Sequence, residues 1–146
     1  MITTLVLAGQ LTKPLEPAAA TKLRAGELVR LYERTMSRAG TYQTLIALTP
    51  TKAFFKTREW ANTVSLSAEQ QAILKASLRT DSLKSLVAAK RENPMWPSAY
   101  DATDQWLAYR IGSTKFKWTN HDYEYPGEKC SLTKLIEELR AQATPK

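Results

Sequence analysis

Residues 105–118, QWLAYRIGSTKFKW, decide the fold class of this chain. Apolar side chains recur at every second position of the first seven residues, which is the pattern of a strand with one buried face. Gly112 and Ser113 then supply a two-residue turn, and the alternation resumes with Phe116 and Trp118. The stretch therefore predicts an antiparallel β-hairpin.

The first half of the chain predicts further strands. Residues 27–35, ELVRLYERT, set Val29 and Leu31 against Arg30 and Tyr32, which fits a half-buried strand, with a helix as the competing interpretation. Residues 42–49 and 53–57 are two β-rich runs joined by a turn that contains proline, and they predict a second hairpin.

Two segments have helical patterns. In SAEQ, residues 67–70, the Ser67 hydroxyl can accept the amide of Gln70 while the Gln70 side chain reaches back, which is a capping box. The helix that it opens is expected to bury one stripe of four residues: Ala72, Ile73, Ala76 and Leu78. A short helical turn is also predicted to start at Asp81.

The last predicted helix is SLTKLIEELRAQ, residues 131–142. Ser131 is its expected cap, and the apolar positions fall at helical spacing: Leu132, Leu135, Ile136 and Leu139. Between the second helical turn and the hairpin, residues 90–103 contain two prolines in a polar stretch and are predicted to be a long loop.

The order strand, strand, strand, helix, strand, strand, helix predicts an α+β fold, an antiparallel sheet with two main helices packed on one face. The length of 146 residues fits one domain, assigned to residues 27–142. Residues 1–26 are predicted to form an N-terminal strand or arm and a linker rich in proline and alanine, and residues 143–146 a frayed tail. No apolar run approaches the roughly 18 residues of a membrane-spanning helix, so no transmembrane segment is expected.

The charge balance allows an anionic partner. The net charge is +7; residues 1–100 hold 14 Lys or Arg and 7 Asp or Glu, and residues 101–146 hold 7 of each kind. Such an excess suits nucleic acid, lipid headgroups or polysaccharide, although it is also compatible with no partner. Because the basic residues are scattered singly, nucleic-acid binding is not the favoured interpretation.

The candidates for catalysis are few. His121 is the only histidine, and the adjacent Asp122 could orient it and raise its basicity. Neighbours on an extended strand point to opposite faces, however, so a histidine at a turn or strand end is preferred. Cys130 and His121 form a conceivable thiolate-imidazole dyad, but a lone buried thiol is commoner. We therefore assign no catalytic residue.

No metal or cofactor is predicted. Five carboxylates surround the second hairpin in sequence, but their spacing matches no calcium loop: Asp101, Asp104, Asp122, Glu124 and Glu128. One His and one Cys are too few for a closed zinc site.

Aromatic residues supply the remaining candidates for binding. Many lie near the second hairpin, where they either pack as core against the helices or form a stacking surface. Trp96 lies between Pro94 and Pro97 and is harder to bury. We predict a contact surface made by the loop 93–100 and the segment 121–125, with five residues in it: Trp96, Tyr100, His121, Asp122 and Tyr123.

Several pieces between residues 27 and 142 occur in a recognisable order: AGTYQTLIAL, VSLSAEQQAIL, SLKSLVA, YDATDQWLAYRIGSTKFKW and LTKLIEEL. This order resembles a domain-of-unknown-function family of small exported or lipid-anchored bacterial proteins. The chain departs from it near Ala102, where those proteins tend to carry glycine, and in lacking their leader. Residues 2–8 are instead predicted to be a strand. The resemblance implies a fold and export, and no reaction.

Together these features predict a small non-enzymatic accessory or binding module. If the resemblance holds it is exported, to the periplasm or the cell surface, and otherwise it is cytoplasmic. The expected partner is a protein or a polysaccharide. Two alternatives stay open, a nucleic-acid-binding domain that uses the basic first part of the chain and an enzyme that uses His121, Asp122 or Cys130.

Overall fold

The computed structural model describes residues 13–37, 40–79, 103–120 and 131–146. Within these ranges the chain forms three helices and six strands. The helices are α1 (Pro17–Ala20), α2 (Ala68–Ser77) and α3 (Ser131–Ala143). The strands are β1 (Val29–Ser37), β2 (Gly40–Leu48), β3 (Lys52–Thr57), β4 (Ala61–Ser65), β5 (Thr103–Ile111) and β6 (Thr114–Asn120).

The six strands form one antiparallel sheet in the order β4-β3-β2-β1-β5-β6. Strand β1 lies in the middle, where Leu31 is opposite Ile46 of β2 and Leu107 of β5. The first four strands thus follow one another across the sheet, and the β5–β6 hairpin joins its other side. The prediction of an α+β fold with an antiparallel sheet is confirmed.

The β5–β6 hairpin closes where the sequence predicts it. Ile111 lies opposite Thr114, which leaves Gly112 and Ser113 as the turn. Gly112 has a φ of +61°, a conformation that glycine adopts without the steric penalty of a Cβ atom. The turn residues therefore fix the register of the hairpin.

The main core lies between one face of the sheet and the helices; this face is the first face below. Its members on the strands include Val29, Leu31, Ile46, Phe55 and Leu107. Helix α3 contributes the apolar residues predicted for it, at i, i+3, i+4 and i+7, and all of them are buried: Leu132, Leu135, Ile136 and Leu139. Burying one such side chain contributes about 1.5–3 kcal/mol, so this stripe holds α3 on the sheet.

The buried side of α2 differs from the prediction. The capping box between Ser67 and Gln70 is present, but the buried residues of the helix are Gln70, Leu74 and Ser77. Two of them face α3, because Gln70 Nε2 donates to Glu138 Oε1 at 3.0 Å and Ser77 Oγ lies 2.8 Å from Ser131 Oγ. The prediction considered only apolar residues, so it missed two polar residues that are buried and hydrogen-bonded to α3.

The stripe predicted for α2 was therefore wrong at its two alanines. Ala72 and Ala76 are exposed, while Ile73 and Leu78 are half-buried at the margin of the main core. Residues 70, 74 and 77 recur at helical spacing and occupy the side that faces inward, which leaves residues 72 and 76 on the outside.

The order of elements also differs at two points, since α1 and β4 were not predicted. Strand β4 forms one edge of the sheet, and its Asn62 Nδ2 donates to the carbonyl oxygen of Ala143 at 2.9 Å, which ties that edge to the end of α3. The predicted strand 2–8, the helical turn from Asp81 and most of the loop 90–103 lie outside the described residues. Thr103, the last residue of that loop, begins β5 instead.

Candidate ligand-binding face of the sheet

The basic residues of the described strands all lie on the face of the sheet opposite the main core, called the second face below. Paired residues share a face, and so do alternate residues of one strand. Arg30 is aligned with Ala47 and Ala108, and Ala108 is aligned with Lys117. Extended over the sheet, the register places seven cations on the second face: Arg30, Arg34, Lys52, Lys56, Arg110, Lys115 and Lys117.

Acidic residues are few in the same strands. Among the described strand residues, Asp104 is the acidic member of the second face, directly across from Arg34. On the first face Glu33 accepts hydrogen bonds from Arg140 and from Gln105 Nε2, the latter at 2.7 Å, and no strand residue described there is basic. The strand residues therefore give the second face a positive charge, whereas those of the first face include Glu33 and no described cation.

Residues 13–27, called the arm below, lie across the middle of the second face. The side chain of Gln43, only 4% exposed, holds it there. Gln43 Oε1 accepts from the amide of Leu15 at 2.9 Å and from the Tyr32 hydroxyl, and its Nε2 donates to the carbonyl oxygen of Lys13 at 2.9 Å. The amide group thus pairs with the arm backbone through both a donor and an acceptor.

Apolar contacts reinforce the arm. Leu15 and Ala20 pack in a second cluster with Tyr32, Leu45 and Trp106. The Tyr32 and Trp106 rings are stacked with centroids 5.3 Å apart, and the Arg34 guanidinium lies 5.0 Å from the centroid of Trp106. Burial raises the pKa of Tyr32 above its usual value of 10.0. This cluster occupies the centre of the second face.

Arg30 is neutralised beneath the arm. Its Nε donates to the carbonyl oxygen of Ala20 at 2.9 Å, and one terminal nitrogen contacts both Glu27 carboxylate oxygens, at 2.8 and 3.1 Å. Glu27 is held by the turn that starts at Arg24, in which Gly26 has a φ of +82°. Since Arg30 is 4% exposed and paired, it is not a contact for an outside ligand.

Five of the six remaining cations form two patches, one on each side of the arm, while the sixth, Arg34, lies over the Trp106 ring between them. The β3 patch comprises Lys52, Phe54 and Lys56 together with Arg24 of the arm. The hairpin patch comprises Arg110, Lys115 and Lys117. Strands β3 and β5 are separated by three strand spacings, or about 14 Å, so the two patches are close enough for one extended ligand to reach both.

Both patches bring like charges together. In the hairpin patch Arg110 lies directly across from Lys115, a cross-strand arrangement that destabilises a sheet. In the β3 patch the pKa of Lys56 is lowered, first by burial and then by the positive charges of Arg24 and Arg30. Such crowding costs stability in the free protein and is relieved when an anion binds.

The residues predicted from the sequence as a contact surface lie outside the described part of the chain, namely Trp96, Tyr100, His121, Asp122 and Tyr123. The same is true of Cys130, so these assignments stay predictions. Of the five carboxylates considered for calcium, only Asp104 lies in the described part of the chain. It belongs to β5 and is paired with Arg34 of β1.

The second face was missed although its signal is present in the sequence. Basic residues are separated by two or four positions in three separate strands: Arg30 and Arg34, Lys52 and Lys56, and Lys115 and Lys117. Alternation places each set on one side of its strand. Only the register shows that the three sides are the same side.

Comparison of the sequence with models of known protein families and with curated proteins finds no match. In the part of the chain that the structure describes, no helix combines the length and the apolar character needed to cross a membrane.

Proposed function

We propose that this protein is a non-enzymatic binding module that binds an anionic polymer on the second face of its sheet. The observation that carries the proposal is that all seven strand cations lie on that face and that five of them form the two patches beside the arm. A face on which positive charges outnumber negative ones attracts an oppositely charged chain and speeds its encounter. The proposal keeps the binding module expected from the sequence and assigns it a surface.

The accessibility of the two patches supports a polymer as the ligand. Lys52 and Arg24 are exposed in the β3 patch, and Lys115 and Lys117 are exposed in the hairpin patch. Because the arm lies between the patches, a small anion contacts one of them, whereas a chain that spans the four strand spacings from β3 to β6, about 19 Å, contacts both. Affinity should therefore rise with the length of the polymer until both patches are occupied.

The test is the salt dependence of binding, measured by fluorescence anisotropy with a labelled single-stranded oligonucleotide and with a sulfated polysaccharide. The variant Lys52→Gln/Lys117→Gln removes one charge from each patch. The matched control Lys75→Gln/Lys134→Gln removes two exposed lysines from α2 and α3. Each lost phosphate contact reduces the slope of log affinity against log salt by about 0.7 for a single strand, so the face variant should lose about 1.4 and the control nothing.

Two results contradict the proposal. In one, neither polymer binds to the native protein at low salt. In the other, the face variant and the control lose the same affinity, which would mean that only net charge attracts the polymer. Both double variants keep the described hydrogen bonds, so thermal unfolding should show both folded.

On the resemblance given above, we also propose that the protein is exported. Fractionation of cells that express the native gene tests this part independently, since binding on the second face does not depend on the compartment. Recovery of the protein with the cytoplasmic fraction would contradict export.

A further inference from the structure

Phe54 occupies an unusual place for a large apolar side chain. It lies on the second face of β3, between Lys52 and Lys56, and it is half-buried. It belongs to neither of the two apolar clusters that the described residues form. Core packing among the described residues therefore does not account for an aromatic ring at this position.

The strand residues paired with Phe54 have small side chains. The residues directly opposite it are Ala47 on β2 and Thr63 on β4, both of them small. On its own strand, the same face carries only the two flanking lysines. An aromatic ring among small residues and cations is the arrangement with which proteins bind unpaired bases, because the ring stacks on a base while the cations contact the phosphates.

The other half-buried aromatic residue of the second face is less suited to this role. Trp106 is stacked on Tyr32, and Arg34 lies over its ring. Leu15 of the arm also packs against this cluster. Contacts within the protein therefore already occupy Trp106, and we assign stacking of a ligand to Phe54.

We infer that the β3 patch is a site for single-stranded nucleic acid, in which a base stacks on Phe54 and the adjacent phosphates bind Lys52, Lys56 and Arg24. This inference rests on the proposed function and names its ligand. A double helix and an acidic polysaccharide present charge but no unpaired base, so neither can stack a base on the ring. The site therefore favours single strands over other polymers of similar charge.

The test compares two polymers across variants of the ring. A labelled oligothymidylate reports base stacking together with charge, and a sulfated polysaccharide reports charge without base stacking. Stacking on an aromatic side chain is worth about fivefold or more in affinity for each base. Phe54→Leu should lose that factor for the oligothymidylate and leave binding of the polysaccharide unchanged, while Phe54→Tyr should retain both.

Phe116→Leu is the matched control. Phe116 is also half-buried, but it lies on the first face, stacked on Tyr109 with centroids 5.1 Å apart. Its replacement should change the affinity for neither polymer. Phe54→Met provides the same comparison with a flexible side chain if the leucine variant unfolds at the assay temperature.

The outcomes separate this inference from the proposed function. Equal affinity of native protein and Phe54→Leu for the oligothymidylate overturns the stacking site, and so does an equal loss for both polymers; in either case the binding module itself still stands. Failure of both polymers to bind native protein overturns the proposed function. A duplex that binds as tightly as the single strand and is equally insensitive to Phe54→Leu would show binding by charge alone.

Discussion

The contact between Gln43 and the arm gives a quantitative test of how the second face is built. Gln43 accepts from the Leu15 amide and the Tyr32 hydroxyl and donates to the Lys13 carbonyl. Gln43 is 4% exposed and Tyr32 is fully buried. Gln43→Leu keeps most of the side-chain volume and removes all three bonds, so the change isolates hydrogen bonding from packing.

The size of the effect follows from the three bonds. Each contributes about 0.5–1.5 kcal/mol to stability, and a buried group left without a partner costs about 1–3 kcal/mol. We therefore expect Gln43→Leu to lower the free energy of unfolding by about 1.5–4.5 kcal/mol. The bonds to Leu15 and Lys13 are only partly buried, which places the expectation in the lower half of that range.

Urea unfolding of four proteins measures the effect: native, Gln43→Leu, Tyr32→Phe and the double variant. The double variant should be more stable than the sum of the two single losses predicts, because it no longer leaves the tyrosine hydroxyl facing an apolar side chain. Gln142→Leu changes an exposed glutamine of α3 and is the control. A loss for Gln43→Leu no larger than that of the control would refute the account of the arm.

Three further changes have expected directions. Because burial raises the pKa of Tyr32, the unfolded chain releases the phenolic proton first, so the free energy of unfolding should fall as pH rises above about 10. Unfolding curves of Tyr32→Phe should show a smaller fall over the same pH range, and an equal fall in the variant would contradict this prediction. The pKa of Lys56 is lowered by burial and by Arg24 and Arg30, so its charged form is disfavoured in the folded state. Lys56→Gln should therefore raise the melting temperature at neutral pH while weakening polymer binding. A lower melting temperature for the variant would contradict the statement that charge repulsion at Lys56 destabilises the protein. Ser67→Ala removes the capping hydroxyl of α2 and should cost about 1 kcal/mol in urea unfolding, whereas no loss would mean that the cap contributes nothing.

Local patterns were sufficient for the elements whose signals are contained in a few neighbouring residues. The β5–β6 hairpin follows from period-two alternation around Gly112, and the start of α2 follows from the reciprocal bonds of Ser67 and Gln70. The buried stripe of α3 follows from its helical spacing. In each case a single stretch of chain determines the structure.

The elements that were missed are those that depend on distant partners. Strand β4 is five residues long and contains Asn62 and Thr63, so its alternation is weak, and pairing with β3 and a bond to the end of α3 hold it. Helix α1 has only four residues, too few for a periodic signal. The local sequence of β4 shows neither its pairing with β3 nor its bond to the end of α3.

The second face could not be predicted for the same reason. Arg30 and Lys117 are far apart in sequence, and they share a row of the sheet because β1 pairs with β5 and β5 with β6. The charge distribution along the sequence gives no sign of this face. Positive and negative charges are equal in number in residues 101–146, yet the strand cations of this part all lie on one side of the sheet: Arg110, Lys115 and Lys117. The register between strands, which the sequence does not specify, places basic residues that are distant in sequence on one face of the sheet.

Lysine footprinting can locate the polymer on the second face. The protein is acetylated with and without a saturating anionic polymer, and mass spectrometry then measures the modification of each lysine. Binding on the second face predicts protection of Lys52, Lys115 and Lys117, whereas Lys75 and Lys134, which are exposed on the helices, react as in the free protein. Equal protection of both groups, or protection of the helix lysines alone, would contradict the assignment of the second face as the binding surface.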